Sequence, residues 1–290
     1  MVNLIDGKKL SQELLQESAE KVAKLSEGKR KPMLVVITVG DDEASKVYVR
    51  NKSKACEKCG IDFRNERFPE DISREEVAAK IKELNQDNTV DGLFVQLPVP
   101  KHLSGIEQEI DIKKDVDGFN IYNLGNTLYN SKENLKLEAC TPYGVMYMLE
   151  KYNINLKGKH VVVLGRSNIV GKPLIGMLLA KNATVTSCNS YTENIKEITK
   201  TADVLICAIG KAKLINSSYI SEKTKVIIDV GMNRDENGKL CGDVDFQDVT
   251  KYWENTKEEK YITPVPGGVG PMTVASLIHN VVECYENNIR

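Results

Sequence analysis

The sequence predicts an α/β protein built from two domains. The chain has 290 residues, which is enough for two domains that each bury a core of their own. Apolar, β-branched runs alternate with segments of helical periodicity, a pattern typical of parallel sheets whose strands are joined by helices. This alternation occurs in two separate series along the chain, so we expect two α/β units in tandem.

The first series contains three expected strands. MLVVITVG (33–40) is an apolar run that ends in glycine, and a helical segment then continues to Gly60. IDFRNERF (61–68) alternates like a strand, and the segment 73–86 is an amphipathic helix that begins with a capping box. DGLFVQLPVP (91–100) is the third strand, and it runs into prolines.

The second series repeats this order after Lys157. HVVVLG (160–165) is followed by a helix from about Lys172, and three further strands are expected in ATVTSC (183–188), ADVLICAIG (202–210) and TKVIIDVG (224–231).

Two more helices connect or complete these units. Thr141 is expected to be the N-cap of a helix with Pro142 at its first position, and this helix would join the two units. Pro271 introduces the last helix, which we expect to pack on the first unit. Its apolar positions recur with helical spacing: Val274, Leu277, Ile278, Val281 and Val282.

Composition excludes several classes of protein. The chain is 41% apolar and 28% charged with a formal net charge of −1, so we expect no nucleic-acid partner. No apolar run approaches the roughly 20 residues that cross a bilayer, and the amino terminus lacks a signal-type apolar region. We therefore expect a cytoplasmic protein without a membrane partner.

The seven cysteines are expected to be reduced core residues, because their number is odd and their spacing irregular. Cys56 and Cys59 form a C-x-x-C pair, which leaves a metal or redox site as an alternative. A second pair at zinc-ribbon spacing is missing from the sequence, so we expect no metal.

The turn GRSNIVGKP (165–173) comes close to two phosphate-binding motifs. Five residues separate Gly165 from Gly171, and Pro173 stands where a triphosphatase loop needs a hydroxyl for magnesium. The dinucleotide motif loses its middle glycine to Ser167, but the turn still joins the first strand of a unit to a helix amino terminus. A dinucleotide is therefore favoured.

NADP is favoured over NAD at this turn. An NAD site usually has a carboxylate about 20 residues further on, whereas this chain has Ser190 and no acid before Glu193. Ser190 and Arg166 suit a 2′-phosphate. Alternatively, Ser190 is only a turn residue.

Several polar residues occur in apolar contexts. Tyr48 and Lys52 share one helix face, where Lys52 either serves in proton transfer or extends its ammonium to solvent. Gln96 ends an apolar strand and Asp117 lies in a tight turn, and each either contacts a ligand or only bonds to backbone. The loop PVPGGVGPMT (264–273) either admits a planar ligand or links domains.

Seven motifs together resemble the bifunctional methylenetetrahydrofolate dehydrogenase/methenyltetrahydrofolate cyclohydrolase family. They occur in the order of the family over almost the whole chain: YVRNK (48–52), DGLFVQLPVP (91–100), KDVDGFN (114–120), CTPYGV (140–145), GRSNIVGKP (165–173), IDVGMN (228–233) and PVPGGVGPMT (264–273). The resemblance implies NADP-dependent oxidation of 5,10-methylenetetrahydrofolate to the 5,10-methenyl form, followed by hydrolysis to 10-formyltetrahydrofolate.

The resemblance also implies an organisation of the chain. Residues 1–140 with 271–290 would form a folate-binding catalytic domain, and residues 141–270 a Rossmann-type NADP-binding domain, with a cleft between them. Tetrahydrofolate derivatives would be the ligands, and the protein would be a homodimer.

Residue roles follow from the resemblance alone. Lys52 is the general acid/base of the hydrolysis, Tyr48 stacks on the folate, Gln96 tunes the protonation of Lys52, and Asp117 binds the pterin ring. The implied substrate contacts are Tyr48, Val49, Arg50, Asn51, Lys52, Val95, Gln96, Leu97, Asp117, Pro266, Gly267, Gly268, Val269, Gly270, Pro271, Met272, Thr273 and Val274. The implied NADP contacts are Gly165, Arg166, Ser167, Ser190 and Met232.

The sequence departs from the family pattern at two places. Ala139 stands where a proline is usual, and Asn189-Ser190-Tyr191-Thr192 replaces the common His-Ser-Lys-Thr, which removes a lysine that could hold the cofactor phosphate. A monofunctional dehydrogenase and a non-catalytic NADP-binding regulatory protein are the alternatives. Lys52 and Gln96 favour the bifunctional enzyme.

Overall fold

Parallel strands joined by helices organise both halves of the chain. The computed structural model describes residues 1–130 and 135–289. A three-stranded unit contains residues 12–127, 135–140 and 274–289, and a six-stranded unit contains residues 1–11, 128–130 and 141–273. The predicted α/β fold with two units is therefore confirmed.

The three-stranded unit has a parallel sheet in the order β3-β2-β4, and its strands are the three expected from the first series. The strands are β2 (Met33–Val39), β3 (Asp62–Phe68) and β4 (Gly92–Val95). The helices are most of α1 (Gly7–Leu25), α2 (Glu43–Lys58), α3 (Arg74–Gln86), most of α4 (Ile121–Tyr129) and the greater part of α9 (Val269–Ile289).

Helices cover both faces of this sheet. Successive side chains of a strand point to opposite sides, so each strand has side chains on both faces that pack against helices. Val36 and Phe94 pack with residues of α2 and α9, whereas Val35 and Ile37 pack with residues of α3. The last helix thus contributes to the core of the three-stranded unit, as expected. The predicted capping box of α3, at Ser73, is confirmed.

The six-stranded unit has a parallel sheet in the order β1-β11-β8-β7-β5-β6. Its strands are β1 (Val2–Leu4), β5 (His160–Leu164), β6 (Thr184–Cys188), β7 (Val204–Cys207), β8 (Val226–Asp229) and β11 (Lys260–Ile262). A hairpin of β9 (Asn233–Arg234) and β10 (Leu240–Cys241) follows β8. The helices are α5 (Cys140–Lys151), α6 (Gly171–Ala180), α7 (Ile195–Lys200) and α8 (Phe246–Trp253).

Two strands of this sheet were not predicted. β1 and β11 have three residues each, which is too short for a periodicity signal, and they pair with one another in parallel. Because β1 pairs with β11, the first 11 residues belong to the six-stranded unit by contact. The sequence-based boundaries placed them with residues 12–140.

Two helix starts differ from the prediction. α5 begins at Cys140, so Thr141 lies in its first turn and is not the N-cap, and Pro142 is its third residue. α9 likewise begins at Val269, two residues before Pro271. Both prolines are tolerated because the first turn of a helix has N–H groups without helical partners, so the missing N–H is not needed.

All seven cysteines are buried and free, which confirms the prediction of reduced core residues. Burial raises the pKa of the Cys56 thiol to about 12 and that of Cys59 to about 11. The described residues contain no group of three or more His, Cys, Asp or Glu side chains that could hold a metal ion. Within the same residues, no helix is both long enough and apolar enough to cross a membrane.

A buried carboxylate ends β8 and organises the backbone beyond it. Asp229 accepts N–H groups of Gly231 (3.0 Å), Asp243 (2.9 Å) and Val244 (2.9 Å). A Cβ atom on Gly242 would lie only 1.8 Å from an Asp229 carboxylate oxygen. Close approach of the two segments therefore depends on this glycine.

A second buried carboxylate, Asp243, continues the network. Its oxygens accept three successive N–H groups from Ile209 to Lys211, and also the side-chain amide of Asn233. These bonds join the segment after β7 to the segment after β8. Two adjacent strands thus have their carboxyl-terminal loops held by one side chain.

We expect the stability of the protein to fall as pH rises through the titration of Asp229. Burial raises the pKa of Asp229 to about 7, and the backbone N–H groups oppose this shift. The folded state therefore binds a proton that the unfolded state has released between about pH 4 and pH 7, which lowers the free energy of unfolding by about 1.4 kcal/mol per pH unit.

Urea unfolding of the wild type and of Asp229→Asn at pH 5, 6 and 7 measures this contribution. The variant should lose less stability over that range, although its absolute stability is lower because an amide cannot accept all three N–H bonds. Asp245→Asn is the control, since Asn also caps α8 well. Equal slopes in the wild type and Asp229→Asn would contradict the prediction.

Candidate active site

Lys52 occupies a buried position in the middle of α2, with only 7% of its surface exposed. Its ammonium donates a hydrogen bond to Oε1 of Gln96 at 3.2 Å and lies 3.8 Å from Oδ1 of Asp117. The same nitrogen lies 3.8 Å from the centroid of the Phe94 ring, as in a cation–π interaction. Lys52 does not extend to solvent, so that alternative is wrong.

The sheet fixes the orientation of Gln96. This residue directly follows β4, and its backbone N–H still donates to the carbonyl of Ile37 at 2.9 Å. Its side-chain NH₂ donates to the carbonyl of Leu97 at 2.8 Å. The amide nitrogen is therefore occupied, and the amide oxygen is left to accept from Lys52.

The turn that presents Asp117 is held from the last helix. Gly118 follows with φ of +72°, and a Cβ atom there would lie 2.5 Å from the carbonyl carbon of Glu138. Asn280 of α9 donates to the carbonyls of Val116 (2.8 Å) and Glu138 (3.0 Å). Asn280 thus ties the residue before Asp117 to the segment at Glu138.

The carboxyl group of Asp117 is largely withdrawn from solvent, with 14% of its side chain exposed. Burial raises the pKa of its carboxyl group, and the nearby Lys52 ammonium opposes that shift. Cys140 lies next to it, with Sγ 4.0 Å from Oδ1 of Asp117 and 3.2 Å from the carbonyl of Val116. Burial raises the pKa of the Cys140 thiol well above its usual range, so the thiol stays protonated beside the carboxylate.

The other residues of YVRNK are spread around α2. Tyr48 lies one turn before Lys52 and is 40% exposed, which leaves much of its side chain accessible. Val49 is buried, whereas Arg50 and Asn51 are exposed. The structure thus brings Lys52, Gln96 and Asp117 together and places Tyr48 one helical turn away.

Val95 and Leu97 flank Gln96 but differ in their surroundings. Val95 is 2% exposed and packs in the core shared with α3, on the sheet face opposite Phe94. Leu97 is partly exposed. The side chain of Val95 therefore faces away from the Lys52 ammonium.

The segment expected to line the folate site divides into a short loop and a helix start. Pro266–Gly268 form the loop, whereas Val269–Val274 are the first residues of α9. The N–H of Lys8 donates to the carbonyl of Gly267 at 2.9 Å. A Cβ atom on Gly7 would lie only 1.9 Å from the carbonyl oxygen of Gly268, so this loop is packed closely against the start of α1.

In the six-stranded unit, two glycines shape the turn after β5. Gly165 has φ of +119°, and a Cβ atom there would lie 2.2 Å from the carbonyl oxygen of Ala208 after β7. A Cβ on Gly171 would lie 2.4 Å from the carbonyl oxygen of Gly165. After β5 the chain continues toward one edge of the sheet, and after β7 it continues toward the other edge. The crevice between two such strands is where parallel sheets bind ligands.

Polar side chains surround this turn. Oγ of Ser167 accepts the N–H groups of Val170 (3.2 Å) and Gly171 (3.4 Å), so it already binds two backbone donors at the start of α6. The Arg166 guanidinium lies 5.6 Å from the centroid of the Tyr191 ring, and both side chains are exposed. The Tyr191 ring, which follows the neighbouring strand β6, thus orients the Arg166 guanidinium.

Ser190 and Met232 complete the predicted cofactor set. Ser190 is exposed beside Tyr191, and Met232 is 49% exposed after β8. A Cβ atom on Gly270 would lie 3.2 Å from Cε of Met232. A glycine-shaped turn at a helix amino terminus, with an exposed guanidinium and hydroxyls, fits the phosphates of a dinucleotide.

Four residues that contribute to these two sites were not predicted from the sequence as site residues. Asn280 could have been noticed, because it interrupts the apolar face of the last helix with an amide. Phe94 lies two positions before Gln96 in β4 and so shares its side of the strand. The contacts of Cys140 with Asp117, and of Tyr191 with Arg166, join segments far apart in sequence and gave no local signal.

Both halves of the chain match models of known protein families. Residues 5–117 match the family model for the tetrahydrofolate dehydrogenase/cyclohydrolase catalytic domain, and residues 139–289 match the model for the NAD(P)-binding domain of that family. The chain is 49% identical over 286 residues to the bifunctional protein FolD of Nitrosospira multiformis, covering 98% of this chain and 96% of that protein.

Solved structures show the same similarity. The bifunctional enzyme FolD of Campylobacter jejuni matches with a TM-score of 0.93 and 42% identity over 99% of both chains. A Trypanosoma brucei methylenetetrahydrofolate dehydrogenase-cyclohydrolase, solved with NADP and an inhibitor, matches with a TM-score of 0.90 and 32% identity over 100% of this chain and 99% of that one. The chain belongs to the tetrahydrofolate dehydrogenase/cyclohydrolase family.

Proposed function

We propose that this protein oxidises 5,10-methylenetetrahydrofolate with NADP and hydrolyses the resulting 5,10-methenyltetrahydrofolate to 10-formyltetrahydrofolate. The observation that carries this proposal is the buried Lys52 ammonium, held between Gln96 and Asp117 in a chain of this family. A dehydrogenase alone needs no buried lysine for proton transfer. The arrangement therefore favours both activities over oxidation alone.

The oxidation step requires alignment more than acid–base chemistry. Bound NADP supplies a nicotinamide ring that accepts a hydride from the methylene carbon of the substrate. The chain has to hold this carbon and the ring at reacting distance, which lowers the entropic part of the barrier. We assign cofactor binding to Gly165, Arg166, Ser167, Ser190 and Met232.

The hydrolysis step requires movement of a proton. Water adds to the methenyl carbon and loses a proton, and the carbon–nitrogen bond of the ring breaks as the nitrogen is protonated. Lys52 is the general acid/base that moves this proton, a role typically worth a factor of about 10² to 10⁴ in rate. Its burial keeps bulk water from competing for the proton.

Gln96 and Asp117 have different roles beside Lys52. The amide oxygen of Gln96 accepts a hydrogen bond from the Lys52 ammonium and so positions this group for proton transfer. The carboxylate of Asp117 accepts N–H groups of the pterin ring, and Tyr48 stacks on the folate from the same helix as Lys52. Burial raises the pKa of Asp117, so N–H donors from a bound ring would favour its ionised form.

The remaining substrate contacts belong to the same proposal. They come from α2, from the end of β4 and from the segment around the start of α9, and they are Val49, Arg50, Asn51, Val95, Leu97, Pro266, Gly267, Gly268, Val269, Gly270, Pro271, Met272, Thr273 and Val274. For Val95, whose side chain is in the core, the contact would come from its backbone.

The arrangement of the whole protein is likewise proposed from the family. Residues 1–140 with 271–290 would serve folate binding and residues 141–270 NADP binding, although β1 lies in the six-stranded sheet. We also propose a homodimer in the cytoplasm that uses tetrahydrofolate derivatives as its substrates.

We further propose that NADP is preferred over NAD. No acid occurs between the end of β6 at Cys188 and Glu193, so no carboxylate there would repel a 2′-phosphate. Arg166 is exposed and oriented by the Tyr191 ring, and Ser190 lies beside that tyrosine. The aromatic contact with Arg166 offsets the loss of the usual lysine at position 191.

Replacing Lys52 tests the hydrolysis. We expect Lys52→Met to lower the rate of methenyltetrahydrofolate hydrolysis by at least about 100-fold, because the proton-transfer group is lost. NADP binding should be unchanged, because the proposed cofactor residues lie in the other unit. Lys58→Met, an exposed lysine of the same helix, is the matched control and should keep wild-type activity. Full cyclohydrolase activity in Lys52→Met would contradict the assignment of Lys52 as the proton-transfer group.

Replacing Arg166 tests the cofactor preference. We expect Arg166→Gln to lower kcat/KM for NADP by about 10- to 100-fold with little change for NAD, since a charge-assisted bond to phosphate is worth roughly 1.5–3 kcal/mol. Tyr191→Ala should cause a smaller loss in the same direction, whereas Tyr191→Phe keeps the ring and should behave as wild type. Lys200→Gln, which removes an exposed charge of α7, is the control. An NADP/NAD ratio unaffected by Arg166→Gln would refute this role.

A further inference from the structure

A cavity of about 630 Å³ lies in the three-stranded unit, between α2 and the carboxyl-terminal ends of β2 and β3. This volume is in the range of sites for small molecules. Val49 and Ser53, one turn apart on α2, line the cavity, whereas the Lys52 side chain is not part of its wall. Gln96 does line it, so the cavity reaches the residue that accepts from Lys52.

Three cations in the cavity wall have no carboxylate partner among the residues that the structure describes. Arg50 and Lys54 come from α2 and Arg67 comes from β3. Within residues 1–130 and 135–289, none of the three forms an ion pair with a carboxylate. Like charges gathered on one concave surface repel each other and create a positive potential, which a bound anion would relieve.

The acidic residues in the same wall are already engaged. Lys46 lies 2.7 Å from a carboxylate oxygen of Asp41 and 2.7 Å from one of Glu43. Asp42 caps α2 by accepting the N–H of Ser45 at 2.7 Å. These acids are therefore balanced by Lys46 or by the helix amino terminus, and they do not neutralise the other three cations.

Polar and apolar groups complete the wall. Oδ1 of Asn65 accepts the hydroxyl of Thr38 at 3.0 Å, which orients the side-chain NH₂ of Asn65 away from that bond. Phe63 and Val49 add apolar surface. This combination suits an organic anion better than a bare inorganic ion, because the carbon skeleton has apolar partners and the anionic groups have cationic ones.

We propose that this cavity binds an organic anion with two or more carboxylate groups through Arg50, Lys54 and Arg67. Such carboxylates have two possible sources: a free polycarboxylate, or the glutamate portion of the folate substrate. Only the second source rests on the proposed function. Because Gln96 contacts both the cavity and Lys52, an anion bound here is adjacent to the proposed proton-transfer group.

Calorimetric titration of the full-length protein with citrate tests the site. We expect saturable binding to the wild type, and at least about tenfold weaker binding to Arg67→Gln and to Lys54→Gln, because each removes a charge-assisted hydrogen bond. Arg64→Gln is the matched control, since Arg64 lies on the same strand, pairs with Glu66 at 3.1 Å and does not line the cavity. It should bind citrate like the wild type.

Titration with tetrahydrofolate distinguishes the two sources. Weaker tetrahydrofolate binding in Arg67→Gln and Lys54→Gln, but not in Arg64→Gln, would identify the carboxylates of the substrate as the ligand. Unchanged tetrahydrofolate binding with loss of citrate binding would identify a separate anion. If both variants bind both ligands as the wild type does, the proposal is overturned. Neither titration measures turnover. These results therefore do not depend on whether the proposed enzymatic activities are present.

Discussion

The need to compensate one buried ammonium group governs the structure around the candidate active site. A charge removed from water is costly unless nearby groups replace its hydration. For Lys52 these groups are an aromatic face, an amide oxygen and a carboxylate, supplied by Phe94, Gln96 and Asp117. Phe94 lies in β4, Gln96 directly follows that strand, and Asp117 lies in a turn further along the chain. The sheet and this turn must therefore be correctly placed before Lys52 can be buried.

The six-stranded unit has a different main constraint, because backbone segments must lie close together at the ends of its strands. Gly165 leaves no space for a Cβ atom beside Ala208, so the turn after β5 lies directly against the segment after β7, and Gly171 lets the start of α6 approach the same turn. Asp229 and Asp243 then hold the segments after β7 and β8 by accepting backbone N–H groups. Backbone geometry, more than any exposed side chain, thus forms the surface onto which a dinucleotide would bind.

The sequence was sufficient for the fold class and for most strands, because the hydrophobic periodicity of β2, β3 and β5–β8 is strong. It was insufficient for β1 and β11, whose pairing spans almost the whole chain and involves three residues in each strand. Polar residues at strand ends, such as Gln96, could be predicted as site residues because amides are unusual at the end of an apolar strand. Contacts between distant segments, such as that of Asn280 with the carbonyl of Val116, could not be predicted, since they depend on tertiary packing.

Asn280 has a further consequence for the order in which the protein can mature during translation. Helix α9 supplies both this amide and part of the hydrophobic core of the three-stranded unit, yet Asn280 is synthesised 164 residues after Val116. The turn of Asp117 is synthesised much earlier and lacks its tether until then. A nascent chain that has not yet reached α9 therefore carries an incomplete Lys52 site.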